Sequence, residues 1–125
     1  MVRASDHAAL HICFGFTCSG RLRDRIRRAL EAGHSVLVLP DNVVNGPAGL
    51  SRFRLDAFHA AVLTSRPILP VGVRATAHVL DPRHHGVDHN ASIVIGRPID
   101  PGSCQERELV DLRDRVRAEL AELCR

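Results

Sequence analysis

The stretch ALEAGHSVLVLPDNVV, residues 29–44, decides the fold class of this chain. Its first part ends in Gly33, and glycine is the favoured residue just past the C-terminus of a helix. Its second part, SVLVLP, is a short apolar run stopped by Pro40, which favours a strand buried on both faces, as in a parallel sheet. A helix followed at once by a buried strand is typical of α/β proteins. Residues 41–52 contain two Gly, a Pro and two Asn, and they predict a loop at the carboxyl end of that strand.

The segments on either side repeat the alternation of strand and helix. Residues 8–18 predict a strand and residues 21–33 a helix with arginines outside. After the loop come a second helix, a strand over Pro67–Val73 that Pro70 places at an edge or a bend, a polar connector over 74–90, a strand over 91–99 and a last helix. The apolar helix faces consist of Leu22, Ile26, Ala29 and Leu30, then Phe53, Ala57, Phe58, Ala61 and Val62, then Leu109, Leu112, Val116, Leu120 and Leu123.

The predicted fold is one α/β domain over residues 1–125, with a mainly parallel sheet flanked by helices. The segments Ser35–Leu39, Ile68–Val73 and Ser92–Ile95 are expected to be neighbouring buried strands, because each is a continuous apolar run.

Composition narrows the classes of function. Aromatic residues make up 3% of the chain, with no Trp or Tyr, so base-stacking surfaces and a nucleic-acid partner are not expected. No apolar run approaches the roughly 20 residues of a spanning helix, so membrane contact is expected to be peripheral. Four cysteines without a Cys-x-x-Cys pair predict reduced thiols in a cytoplasmic protein. The formal charge of +3 comes entirely from arginines, which permits an anionic partner.

Two polar clusters can be interpreted either as functional sites or as ordinary solvated surface. The connector contains His85 and His89, four residues apart, near Asp81 and Asp88, but the spacing matches no zinc site closely, and a solvated loop is the favoured interpretation. The arginines of the first helix can meet anionic lipid headgroups or phosphate, although a solvated face is the commoner role of such a pattern. They are Arg21, Arg23, Arg25, Arg27 and Arg28.

The chain from about Arg21 onward resembles the 1-acylglycerol-3-phosphate acyltransferase family. The resemblance lies in the order and spacing of ALEAGHSVLVLPDNVV, LSRFRLDAFHAAV, PILPVGVRAT and IVIGRPI, followed by an amphipathic tail. In that family a strand leads into Phe-Pro-Glu-Gly-Thr-Arg, and later strands contain Val-Pro-Val and end in Gly-x-Pro-Ile. The matching positions are Pro40 at the motif proline, Asp41 at its glutamate, Arg54 at the basic residue of the next helix start, and Pro70, Gly96, Pro98 and Ile99.

Two departures from the family bear on catalysis. Asn42, Val43 and Val44 stand where the family has Gly, Thr and Arg, and valine cannot replace the arginine that grips the acceptor phosphate. The family's His-x-x-x-x-Asp, in which the His is the general base, occurs nowhere in this chain, because no His is followed by Asp five residues on. A fragment of a longer acyltransferase, or a degenerate relative, is therefore expected, and no catalytic residue is assigned.

The resemblance implies a substrate-binding set of Asp41, Asn42, Arg52 and Arg54. It implies acyl transfer from an acyl-CoA or acyl-carrier-protein thioester, as co-substrate, to a lysophospholipid, with no resident cofactor or metal. The expected location is the cytoplasm at the inner face of the membrane, and an exposed sheet edge would favour a homo-oligomer. The alternative is a non-catalytic α/β module that binds an anionic ligand or a protein partner.

Overall fold

A computed structural model describes residues 10–14, 21–40, 53–75, 91–102 and 104–125. In chain order these residues form β1 (Leu10–Phe14), α1 (Arg21–Glu31), β2 (Ser35–Leu39), α2 (Asp56–Thr64), β3 (Val71–Ala75) and β4 (Ala91–Ile95), then a 3-10 turn (Glu106–Glu108) and α3 (Leu109–Leu123). The predicted order of strands and helices is thus confirmed for the described part of the chain.

The first three elements form a β-α-β unit. β1 and β2 pair in parallel, with Leu10 opposite Ser35, and α1 belongs to the crossover that a parallel pair requires. The helix ends as its sequence predicts, because Gly33 has φ +83° and the His34 amide donates to the Ala29 carbonyl at 3.0 Å. This bond closes the left-handed turn that favours glycine after a helix.

The second pair of strands corrects the prediction of a mainly parallel sheet. β3 and β4 are antiparallel, with Val71 opposite Ile95, and the described strands form two separate two-stranded sheets rather than one. A parallel return requires a crossover, usually helical, whereas antiparallel strands need only a turn or loop. The connector over 74–90 has the polar composition of a loop, and this composition fits the antiparallel pairing.

The strand expected over Ile68–Val73 is interrupted at Pro70. Ile68 forms an isolated antiparallel bridge with Ile99, and β3 begins only at Val71. Proline has no amide hydrogen to donate to a ladder, but the Pro70 carbonyl accepts a hydrogen bond from the Gly96 amide at 2.9 Å. The strand is therefore interrupted at the proline for which the sequence predicted an edge or a bend.

The prediction that the strands are buried on both faces is also wrong. Val36 and Val38 of β2 pack towards α1, whereas Leu37 and Leu39 are 41% and 44% exposed. In β4, Ile93 is 70% exposed. Among the described residues each strand pair has a helix on one face only, so alternate side chains remain uncovered.

Two apolar clusters lie on either side of α2. One consists of Leu22, Ile26 and Ala60 and joins α1 to α2, with Ala60 fully buried. The other joins α2 to α3 and contains Phe53, Phe58, Leu109, Leu112 and Val116. The predicted apolar faces of all three helices thus reach the core, although Ala60, which α1 covers, was not among the residues predicted for α2.

The last helix packs on the β3–β4 pair through glycines. A Cβ atom at Gly72 would lie 2.8 Å from Leu123 Cβ, and one at Gly96 would lie 2.9 Å from Leu123 Cδ1. Arg74 Nε donates to the Leu123 carbonyl at 2.6 Å, so a cation binds the C-terminal end of α3, where the helix dipole favours positive charge. Glycines and arginine together fix the end of α3 on the sheet.

Candidate functional site

The predicted substrate-binding residues lie around the link between β2 and α2. Asp41, Asn42 and Arg52 lie outside the described residues, so their placement stays a prediction. Arg54 is described, and it stands two residues before the first residue of α2. Arg54 is therefore the predicted site residue whose geometry can be described.

Arg54 is held in place from both sides along the chain. Phe53, immediately before it, is 2% exposed and belongs to the cluster between α2 and α3. Asp56, two residues later, accepts a hydrogen bond from Arg54 Nε at 3.1 Å, and Arg54 Nη2 lies 3.1 Å from the same Oδ2 oxygen. The side chains of Arg54 and Asp56 are 32% and 19% exposed, respectively. The guanidinium is thus oriented at the start of α2 and half-buried.

The first turn of α2 offers backbone donors beside this guanidinium. Leu55, the N-cap residue, makes no side-chain hydrogen bond to the turn, and the first amides of a helix have no acceptor within the helix itself. These amides and the positive end of the helix dipole favour an anion. Asp56 supplies one negative charge in that turn, and an incoming phosphate would compete with it for Arg54.

Sequence reasoning identified Arg54 but missed Asp56 as its partner. The available signal was an acidic residue in the first turn of the predicted helix, where the dipole stabilises it. The sequence places Arg54 two residues ahead of this carboxylate, but whether the side chains pair depends on the backbone conformation before α2, which the sequence alone does not define. Among the described residues, Arg54 pairs with Asp56.

The segments that resemble the family's last two motifs lie side by side. Pro70 and Gly96 are joined by a backbone hydrogen bond, and Ile68 exchanges two with Ile99, at 2.9 Å and 2.7 Å. PILPV (residues 67–71) and IGRPI (residues 95–99) thus form one antiparallel contact under the end of α3. Their role in the described structure is architectural.

The described part of the chain also contains other potentially reactive side chains. There, no three His, Cys, Asp or Glu side chains are grouped as metal ligands, and the histidines of the connector lie outside it. None of the described helices has the length and apolarity needed to cross a bilayer. Cys104 and Cys124 are free thiols. Desolvation raises the pKa of the Cys104 thiol, the carboxylates of Glu108 and Asp111 raise it further, and Arg115 opposes them.

Comparison with known proteins gives one structural likeness. The fold is similar to that of the 1-acyl-sn-glycerophosphate (LPA) acyltransferase PlsC from Thermotoga maritima, with a TM-score of 0.61 and 24% sequence identity. The match covers 82% of this chain and 44% of that chain, so this protein spans less than half of the acyltransferase it resembles. No protein-family model and no curated protein sequence matches the chain. The likeness establishes that most of this chain shares the fold of part of an acyltransferase.

Proposed function

We propose that this chain is the acceptor-side part of a glycerophospholipid acyltransferase unit, able to bind a glycerophosphate headgroup but unable to transfer an acyl chain by itself. The observation that carries the proposal is the fold shared with the Thermotoga maritima acyltransferase over 82% of the chain. The order and spacing of the motif-like segments in the sequence support it as well.

The proposed binding site is the start of α2. Arg54 contributes a positive charge held by Asp56, and the first turn of α2, which has no side-chain cap, contributes backbone amides. A phosphate binding there would displace Asp56 from Arg54 or share the guanidinium with it. The family resemblance adds Asp41, Asn42 and Arg52, which precede α2 in the sequence, as further proposed contributors to this site.

Catalysis would require a general base from outside this sequence. In a complete unit, the acceptor hydroxyl attacks the carbonyl carbon of the acyl thioester, an oxygen ester forms, and the thiol of coenzyme A or acyl-carrier protein leaves. A base that removes the hydroxyl proton contributes about 10²–10⁴ in rate. The His-x-x-x-x-Asp pair that would supply it is not in the chain, so the pure protein should not acylate lysophosphatidic acid.

The binding claim is testable with a matched pair of variants. Short-chain lysophosphatidic acid, kept below its critical micelle concentration, is titrated into wild-type protein, Arg54→Ala and Arg115→Ala. Arg115 is exposed on α3 and serves as the charge-matched control. Arg54→Ala should weaken binding by about 1.5–3 kcal/mol, the range for a hydrogen bond to a charged group, and Arg115→Ala should leave it unchanged.

The pairing with Asp56 gives a test in the opposite direction. Asp56→Asn removes the carboxylate that neutralises Arg54, so it should strengthen binding of the phosphate. Equal weakening by Arg54→Ala and Arg115→Ala would indicate diffuse electrostatic attraction. An unchanged affinity in Arg54→Ala would exclude the proposed site.

The rival function is a non-catalytic module that binds a protein partner. The exposed apolar face of β3–β4 favours it, because Val73, Ile93 and Ile95 are 59%, 70% and 65% exposed on one side of the pair. Such patches mark interaction surfaces. Lysophosphatidic acid that fails to bind wild-type protein would favour this rival.

A further inference from the structure

The net charge of the chain is concentrated in one helix. α1 holds five arginines against Asp24 and Glu31, a net charge of +3 over 11 residues. The other 114 residues hold twelve arginines and twelve Asp or Glu, so their formal net charge is zero. The entire formal charge of +3 at pH 7 therefore resides in α1.

The two acidic residues of α1 are engaged with only two of its arginines. Arg27 Nη1 donates to Glu31 Oε1 at 3.2 Å, and Arg23 Nε lies 3.6 Å from Asp24 Oδ1. Arg23 also contacts His59 Nδ1 of α2 at 3.3 Å. These two arginines are therefore already paired within the protein.

The remaining three arginines form a separate stripe. Arg21, Arg25 and Arg28 lie at positions i, i+4 and i+7, on one side of the helix, and all three are exposed. None of them has an ion-pair partner among the described residues. They extend over about 10 Å along the helix axis, and the buried Leu22 and Ile26 hold the helix to α2 so that the stripe stays outward.

We propose that the stripe of Arg21, Arg25 and Arg28 docks the protein on an anionic lipid surface. Charge complementarity supports this partner, since basic side chains near an anionic leaflet each favour binding by about fivefold. A nucleic acid would also attract the charge, but the chain has no Trp or Tyr for base stacking. The choice of a lipid surface rests on the proposed function, because a lysophospholipid acceptor resides in a membrane.

The experiment is co-sedimentation of the wild-type chain with vesicles of phosphatidylglycerol and phosphatidylcholine, and with vesicles of phosphatidylcholine alone. The test variant changes Arg21, Arg25 and Arg28 to Gln. The control variant changes Arg97, Arg107 and Arg115 to Gln, which removes the same charge from exposed positions elsewhere. Circular dichroism confirms that both variants fold.

The wild-type chain should bind only the anionic vesicles. Loss of the stripe should weaken that binding about a hundredfold, three steps of about fivefold, while the control variant keeps wild-type affinity. Equal losses in both variants, no binding to anionic vesicles, or tighter binding to duplex DNA than to the vesicles would each overturn the proposal. The stripe variant retains Arg54, so its loss of binding reports on the stripe and not on the glycerophosphate site, even though phosphatidylglycerol itself carries a glycerophosphate.

Discussion

Packing of α3 on the second sheet depends on the absence of a side chain at Gly72, and Gly72→Ala tests this directly. The new methyl group would lie 2.8 Å from Leu123 Cβ and 3.1 Å from the Leu123 carbonyl carbon. Neither atom can move without moving the backbone of α3. Overpacking of this kind costs about 1–3 kcal/mol, which at about 4 °C per kcal/mol lowers Tm by about 4–12 °C.

Gly96→Ala provides a matched comparison with a different outcome. Its methyl group would lie 2.9 Å from Leu123 Cδ1, the far end of a flexible side chain, so the cost should be about 1 kcal/mol or less. Truncation of Leu123 to Ala removes Cδ1 but retains Cβ. Leu123→Ala should therefore relieve the clash of Gly96→Ala and leave the clash of Gly72→Ala in place.

The assay is thermal and urea unfolding of the three single variants and the two double variants. The cycle for Gly96 and Leu123 should show a favourable coupling of at least about 0.5 kcal/mol, and the cycle for Gly72 and Leu123 should be additive. A neutral Gly72→Ala, or equal rescue of both glycine variants, would refute the described contact.

Three further expectations concern stability and thiol chemistry. Ile26→Ala should lower the free energy of unfolding by about 2–5 kcal/mol because it opens a cavity between α1 and α2. The control Leu63→Ala, at a site 54% exposed, should change the free energy of unfolding by about 0.5 kcal/mol or less. Similar losses for the two variants in urea unfolding would contradict this expectation. Arg74→Met should destabilise the protein by about 0.5–1.5 kcal/mol through the lost hydrogen bond to the end of α3, and an unchanged Tm would count against that bond. Burial raises the pKa of the Cys104 thiol, so iodoacetamide at pH 8 should alkylate Cys104 more slowly than the exposed Cys124. Faster alkylation of Cys104, measured by mass spectrometry, would contradict the raised pKa.

The linkage between this thiol and stability has a definite sign. Folding raises the pKa of Cys104 above its unfolded value, so both states hold the proton at low pH. As pH rises above the unfolded pKa, the unfolded chain loses its proton first, and the free energy of unfolding decreases. Cys104→Ser should flatten this part of the pH profile, as measured by urea unfolding.

The helices and their buried faces were predictable from the sequence, because apolar residues recur at helical spacing wherever one side of a helix packs on the core. Leu109, Leu112 and Val116 recur at helical spacing, and all three are buried. Gly33 lies at a helix end and Pro70 at a break in a strand, the positions that their backbone properties predict. Local stereochemistry was sufficient for these features.

Sheet topology and burial were not predictable in the same way. The apolar runs of β2 and β4 indicated burial on both faces, but Leu37 and Ile93 are exposed because the described helices cover only one face of each pair. The direction of β4 depends on its connector, and an apolar run has the same composition in either direction. For the candidate site, sequence similarity identified Arg54, whereas its ion pair with Asp56 became evident only from the folded geometry.

The central claim is that a glycerophosphate binds at the start of α2, and a backbone-amide NMR titration with glycerol 3-phosphate tests it most directly. The largest shifts should fall on the amides of residues 55–58, the N-cap and the first residues of α2, and should be lost in Arg54→Ala while persisting in Arg115→Ala. Shifts centred on α1 or α3, or shifts in the first turn of α2 that survive in Arg54→Ala, would contradict the account.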